Sequence, residues 1–442
     1  MDDLVPDCGL AEADPDLAHL FDLERRRQDR KLIMIASESI CPRPVREALM
    51  SEFGNIYAEG YPPLRMCADD ERRLRDHAHQ LAHVRRYSDR RYYKGVELVD
   101  LVEAIARRRT AEAFATPEVP ADGIFANVQP LSGAAANNAV YDAFVRHGET
   151  VMGMSLSAGG HLTHGSPVNR SGRNHEVVSY SVGPDGRLDY EVVRDLARRA
   201  RPRLIIAGFS AYPWDIDWAA FRSIADDVGA ILLADIAHTA GLVAAGVARS
   251  PIAHAHVVSF TTHKTLCGPR GAVLLSTHPE IARKLDVGVF PGEQGGPHIN
   301  QIAAKAVAMS IARTEGFRRI MRRVVRNAAA LAEAFRRYGL VPAYGGTDTH
   351  MALVDLRSLP HAAGAPLSGE IASRLLDLVG ITCNKNTIHG DTNAVHPSGL
   401  RFGTTWVSQR GLEPEQMDAI ARVVVDVLRA ARPFAYPGGA TP

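Results

Sequence analysis

Short apolar runs alternate along most of the chain with longer amphipathic stretches, the pattern of an α/β protein with a largely parallel sheet. Residues 149–154, 203–207, 230–234 and 256–260 are predicted to be buried strands, because each is a compact apolar run bounded by polar or turn residues. Residues 97–115, 190–201 and 218–228 place apolar positions three and four apart with charges between them, the signature of amphipathic helices. In such a sheet, ligands bind beyond the carboxyl ends of the strands. Ser210, Asp235 and the run from Thr262 to Thr265 stand just past three of those ends. Beyond Gln301 the pattern changes. Residues 302–338 read as one long Ala- and Arg-rich helix leading into a second domain. Residues 351–356, 381–384 and 399–402 then read as short strands, and 414–431 as a closing helix. The Pro/Gly-rich tail is expected to be loose, and the arginine-rich stretch 63–90 is expected to be an exposed helical excursion.

Composition narrows the class without identifying it. The chain has 442 residues, 46% hydrophobic and 23% charged, with 51 Lys+Arg against 50 Asp+Glu, a balance that offers no global attraction to nucleic acid or anionic membrane. No apolar stretch reaches the ~20 residues that cross a bilayer. The longest, 231–248, carries Asp235 and His238. The acidic N-terminus lacks a signal-peptide pattern, and five scattered cysteines with no CxxC pair fit a reducing compartment, so a cytoplasmic location is expected. The histidines show no metal-ligand spacing.

The chemistry concentrates in a few places. Lys264, between His263 and Thr265 at a strand end, can lose its proton if partly buried and attack a carbonyl. A Schiff base with a cofactor aldehyde is one use of such a lysine, and a surface turn is the other reading. Asp235 closes the run ILLAD with His238 three residues on. It either caps the following helix or faces a cation such as a protonated pyridine nitrogen. Ser132 and Gly133 open a helix whose free amides suit a phosphate, and Gly295 and Gly296 form a second loop of bare amides. His161 lies among glycines in GGHLTHG, where its imidazole could cover an aromatic ring or simply be satisfied within the loop.

Taken together, YAEGYP (57–62), ANVQPLSG (126–133), GGHLTHGSPVN (159–169), GFSAYPWDIDW, ADIAHTAGLVAAGV, TTHKTLCGPRG, FPGEQGGP, GGTDTH, NKN and SGLRFGT resemble the serine hydroxymethyltransferase family. They occur in the family's order from about Leu32 to Gly411. The resemblance implies an α/β, fold-type-I pyridoxal 5'-phosphate enzyme with a large domain built on a mostly parallel seven-stranded-type sheet and a smaller C-terminal α/β domain. The expected division is an N-terminal arm at 1–56, a large domain at 57–310 and a small domain at 311–442. The active site is expected across the interface of a homodimer, or of a dimer of dimers. The implied activity is interconversion of serine and glycine, by retro-aldol-type cleavage on a Lys264 Schiff base, with tetrahydrofolate as co-substrate taking the one-carbon unit.

The resemblance also implies roles residue by residue. Lys264 resembles the Schiff-base lysine, preceded by His263, and Asp235 the pyridine-nitrogen partner. His161 resembles the stacking histidine, with His238 and Ser210 near the cofactor's phenolic oxygen. Ser132 and Gly133 would hold the phosphate, reached from the other subunit by Tyr57 and the Gly295–Gly296 loop. Arg401 resembles the carboxylate clamp, with Ser37 near it. Glu59 resembles the proton-handling glutamate, set among Tyr92 and Tyr93, and Leu156, Leu162 and Asn386 match folate-contact positions.

Three departures stand out: the insertion at 63–90 with Lys94 in place of a glycine, Trp406 after the clamp, and Ala134–Ala135 where the family has a Ser-Gln pair. They leave open a relative acting on an α-methyl amino acid, or a threonine aldolase or transaldolase. They also leave open RNA or protein binding through the basic run at 72–91. The favoured reading of that run is a solvated helix whose arginines pair with Asp69, Asp70, Glu71 and Asp89.

Overall fold

The computed structural model describes residues 8–87, 90–360, 366–391 and 395–431. Among the described residues there are twelve strands: β1 (Leu32–Ile33), β2 (Phe125–Asn127), β3 (Thr150–Met154), β4 (Glu176–Tyr180), β5 (Leu204–Gly208), β6 (Ile231–Asp235), β7 (Val257–Thr261), β8 (Ala272–Ser276), β9 (Met351–Asp355), β10 (Ile381–Thr382), β11 (Asn384–Asn386) and β12 (Gly399–Gly403). Seven of them form one sheet in the order β2-β8-β7-β6-β5-β3-β4. Its core from β4 through β7 is parallel, and β8 runs antiparallel to both neighbours. The expected largely parallel seven-stranded sheet is therefore present. All five residues of β5, β7 and β8 are buried, as strands covered by helices on both faces must be.

Sequence periodicity did not reveal β1, β2, β4 or β8. β2 is too short to show a period, β4 is a half-exposed edge, and β8 follows β7 after a ten-residue turn that hides the reversal. The single helix expected at 302–338 is two helices, Ile299–Ala312 and Glu315–Arg337. Thr314 breaks them, its hydroxyl accepting the Phe317 amide at 3.2 Å as an N-cap. The run 381–384 also divides: β10 pairs in parallel with β1, while β11 joins β12 and β9 in an antiparallel three-stranded sheet. Register in that sheet sets Asn384 opposite Arg401. Buried apolar residues on the large sheet form two clusters, the larger of which also takes in Met351 and Leu353 of β9, while most of those of 331–428, joined by Met34, form another.

The stretch 63–90 is not a free excursion. Its helices Leu64–Ala68, Glu71–Leu74 and His77–Tyr87 bury Met66, Leu74 and Val84 against Leu101 and Ala104 of the helix Glu97–Phe114. A few well-spaced apolar residues were enough to dock it, despite a mainly charged composition. Asp69 sits beside Arg65 and Arg73, and Glu71 receives Arg75, Arg109 and Arg313. Asp70 caps a helix by accepting the Arg73 amide. Asp89 and the C-terminal tail lie outside the described residues. Arg91, counted in the basic run, is buried. It donates to Asp100 at 2.6 Å, to Glu103 at 2.8 Å, and to the carbonyls of Ala58 and Gly60 at 3.0 Å each. Those carbonyls flank Glu59, so the position of that residue depends on a buried ion network. All five cysteines are free, and among the described residues no helix is long and apolar enough to cross a membrane.

Removing Arg91 would leave two carboxylates buried without their main cation. Arg91→Met is expected to lower the unfolding free energy by about 3–5 kcal/mol, read from urea denaturation. A change no larger than that of the exposed Arg43→Ala control would contradict this account of the network.

Candidate active site

The parallel register aligns Gly208, Asp235 and Ser259 across β5, β6 and β7, so the loops that follow open on the same side. Asp235 is buried there, and its carboxylate is densely bonded. Oδ2 accepts from Asn137 Nδ2 at 2.9 Å and from His164 Nε2 at 3.0 Å, and Oδ1 accepts from the Ala237 amide at 3.0 Å. His164 Nδ1 accepts the His161 amide, which assigns the ring proton to Nε2, toward Asp235. Hydrogen bonds from His164 and Asn137, with the nearby His161 adding to them, outweigh burial and hold the Asp235 carboxyl well below the usual carboxylate range. It is an anion at every working pH. No Arg or Lys side chain forms an ion pair with it among the described residues, and a carboxylate has lone-pair capacity beyond the three bonds it makes here. A cationic N–H donor from a ligand fits this place.

Lys264 follows β7 in a turn with little freedom. Gly268 donates to the Thr262 carbonyl at 2.7 Å, Thr262 Oγ1 to the Pro269 carbonyl at 2.6 Å, and Cys267, in the left-handed region at φ 58°, to the Lys264 carbonyl at 3.0 Å. Thr265 Oγ1 bridges to the His238 carbonyl at 2.9 Å and receives the Gly241 amide at 3.0 Å, joining this turn to the one after β6. Burial brings the Lys264 ammonium down to about 8 against the opposing pull of Asp235, with Arg401 and Arg270 adding to the depression. That leaves a substantial fraction as nucleophilic amine near neutrality.

His161 is half-buried and held near 4 by burial, so its imidazole is neutral. Its Nδ1 accepts the Thr163 amide at 3.2 Å and lies 2.8 Å from Thr163 Oγ1, which also accepts from Asn137. His238 Nδ1 lies 3.2 Å from His350 Nε2. Burial drives His238 well below its ordinary value and takes His350 to about 3. His263 is also half-buried, with burial holding it near 4.

Arg401, on β12, reaches the same space from the C-terminal core. It donates to the Ser210 carbonyl and, at 2.8 Å, to Asn384 Oδ1, while its Nε has no partner. Burial lowers it to about 10. Among the described residues no carboxylate pairs with it. A buried guanidinium without its anion is a receptor for one. Gly159, Gly160, His161, Leu162, Ser210 and Arg401 line a cavity of about 340 Å³, which Leu156 and Asn386 also line. Ser37 is half-buried beside Ala36, whose backbone fits against Gly403, two residues past Arg401.

The residues expected to receive a phosphate have a geometry of their own. Ser132 caps the helix Gly133–Phe144, its Oγ accepting the Ala135 amide at 3.2 Å. A Cβ at Gly133 would come within 2.8 Å of Thr261. Gln294, next to Gly295, clasps this loop by accepting the Leu131 amide at 3.2 Å and donating to the Gln129 carbonyl at 2.9 Å. A Cβ at Gly296 would strike the Tyr57 ring at 2.5 Å. Tyr57 donates to Glu59 Oε1 at 3.2 Å, and its ring stands 4.9 Å from that of Tyr93.

Most of the expected catalytic and cofactor residues thus fall into two groups. Lys264, Asp235, His161, His238, Ser210 and Arg401 converge. Tyr57, Glu59, Tyr93, Gly295 and Gly296 form a second cluster. Among the described residues none of Tyr57, Glu59 or Tyr93 bonds to Lys264, Asp235 or Arg401. Asn137, Thr163, His164, His350 and Asn384 were missed. Each lies inside or beside a stretch already noted, but only the fold shows that Asn137 and His164 converge on Asp235 from 98 and 71 residues away.

The family profile described as serine hydroxymethyltransferase matches residues 10–86 and 79–424, two segments that meet within the insertion. Two similar proteins are serine hydroxymethyltransferases of Prochlorococcus marinus. The one from strain MIT 9303 is 47% identical over 421 residues, covering 95% of this chain and 90% of the relative. The one from strain MIT 9313 is 47% identical over 421 residues, covering 95% and 89%.

The depressed Lys264 sets a pH dependence. Only the neutral amine attacks an aldehyde, so the rate at which apoprotein captures pyridoxal should climb with pH and level off above about 8. A rate still climbing toward pH 10, as an ordinary lysine gives, would contradict the buried setting.

Proposed function

This chain belongs to the serine hydroxymethyltransferase family, and on that premise we propose that it interconverts serine and glycine, with tetrahydrofolate accepting the hydroxymethyl carbon and pyridoxal 5'-phosphate held at Lys264 and Asp235. The observation that carries this reading is the convergence, at the ends of β6 and β7 and on β12, of an anion, a depressed lysine and a guanidinium without a carboxylate partner. When bound, the cofactor supplies an aldehyde to capture the substrate amine and a ring that takes up the electron pair of a bond broken at the α-carbon.

The chain's own residues do the rest. Asp235 holds the ring nitrogen's proton, and Asn137 and His164 keep that carboxylate ionised. Neutral His161 presents an uncharged face rather than a competing cation. Ser132, Gly133 and the following amides receive the phosphate. Arg401 fixes the substrate carboxylate through its fork of donors, which orients the side-chain bond for cleavage. Glu59, bonded to Tyr57 and beside Tyr93, exchanges the proton of the substrate hydroxyl. Leu156, Leu162 and Asn386, which line the same cavity, offer contacts to folate.

The two clusters support a subunit-shared site in a homodimer or dimer of dimers, with Tyr57, Glu59 and the Gly295–Gly296 loop completing the partner's centre. The helix Pro15–Arg30, which buries none of its own residues and exposes Leu17, Leu20 and Phe21, suits such an association. The arm, large-domain and small-domain division drawn from the sequence goes with this assembly.

Serine and tetrahydrofolate should yield glycine and methylenetetrahydrofolate in equal amounts. Glycine formed with free formaldehyde regardless of folate would contradict the acceptor. Glu59→Gln should lower kcat by about 10²–10⁴-fold, and Arg401→Lys should raise the serine KM far more than it lowers kcat. Mixing inactive Lys264→Ala and Glu59→Gln subunits should restore activity that neither parent has. Failure of exchanged mixtures to do so would contradict a shared site.

A further inference from the structure

Lys305 lies in the helix Ile299–Ala312, is 1% exposed and has no carboxylate partner among the described residues. Its Nζ donates to three backbone carbonyls: Val128 at 2.6 Å, Pro130 at 3.0 Å and Ala272 at 3.0 Å. An ammonium has three N–H donors and all three are used, so the charge is spread over peptide dipoles rather than matched by an anion. Burial brings it down to about 7, but a neutral amine has only two N–H donors for these three carbonyls, so the geometry is that of the ammonium.

The three carbonyls belong to separate segments that meet at the site. Val128 and Pro130 lead from β2 into Leu131, Ser132 and Gly133, the loop assigned above to the phosphate. Ala272 begins β8, directly after the Lys264 turn. The Ala272 amide also donates to the Pro130 carbonyl at 3.0 Å, and Thr262 donates to Gly271 at 3.0 Å, so loop and turn already touch where Lys305 enters. The fit is close. Gly271 has φ 152°, and a Cβ there would lie 2.5 Å from Lys305 Cε and 2.9 Å from its Nζ. The helix bearing Lys305 itself continues from the Gly295–Gly296 loop. One buried cation therefore links both glycine loops to the lysine turn.

We propose that Lys305 is a positioning residue for the phosphate loop: its ammonium pins the carbonyls of Val128 and Pro130 to β8, so that the Ser132–Gly133 amides stand ready for the cofactor's phosphate. This rests on the phosphate assignment made above. The role is indirect, since Lys305 acts only through the backbone it holds. A loss of general stability would affect every ligand alike, whereas this role affects only ligands that carry the phosphate.

The test compares binding of pyridoxal 5'-phosphate and of phosphate-free pyridoxal to wild type and to Lys305→Met, which keeps length and removes charge. Wild type should strongly prefer the phosphorylated form. The variant should bind pyridoxal phosphate at least tenfold more weakly and pyridoxal within twofold of wild type. Parallel weakening of both, or of neither, would overturn the proposal. A wild type indifferent to the phosphate would overturn the phosphate assignment and the proposal with it. Should Lys305→Met fold poorly, Lys305→Ala with added n-propylammonium, which replaces the missing atoms, should regain pyridoxal phosphate affinity where n-propanol does not. Equal effects of amine and alcohol would overturn the role of the charge.

Discussion

A carboxylate kept charged at the buried end of a central strand is the constraint on which the rest of the site depends. Asp235 stays ionised because Asn137 comes to it from the helix that starts the phosphate loop, and His164 from the loop that carries His161. The same contacts therefore set the phosphate loop, the stacking imidazole and the anion relative to each other. Ser259, on β7, donates to Asn137 at 2.7 Å and orients its amide, which ties the strand before Lys264 into the same arrangement. Loss of the carboxylate would leave several buried donors without an acceptor.

A second ionic core holds the other half-site. Arg91, Arg107, Glu103 and Asp286 link the residues around Glu59 to the helix Glu97–Phe114 and, through Gln129 and Asn127, to the strand that leads into the phosphate loop. The insertion packs on that helix without breaking this network. It lengthens the chain between Tyr61 and Arg91, yet Arg91 still donates to the carbonyls of Ala58 and Gly60. This explains how the chain can carry an additional helical layer while the segment bearing Glu59 stays anchored.

Much of this was legible in the sequence wherever chemistry and periodicity coincide. β3, β5, β6 and β7 are short apolar runs, and the residues past the ends of the last three are those that form the site. Ser210, Asp235 and Lys264 could be read as strand-end groups before any family was considered. Arg401 and Glu59 rested on resemblance, because nothing in their local pattern distinguishes them from surface charges. What stayed hidden was set by distant contacts. The break at Thr314 looks like any helical threonine until its cap is seen. Arg91 looks like one of a basic run until Asp100 and Glu103 enclose it. Lys305 sits in an alanine-rich helix with no sequence sign that three carbonyls from other segments converge on it. Composition overstated the exposure of 63–90, because Met66, Leu74 and Val84 are few but fall on one side.

The most direct test of the account is to reduce the pyridoxal phosphate-loaded protein with borohydride, digest it and locate the pyridoxyl-modified residue by mass spectrometry. The account predicts one modified lysine per chain, at Lys264, and loss of the modification when Asp235 is replaced by Ala. Modification at Lys305 or another lysine, or a pattern indifferent to Asp235, would contradict the central claim that this strand-end pair holds the reaction centre.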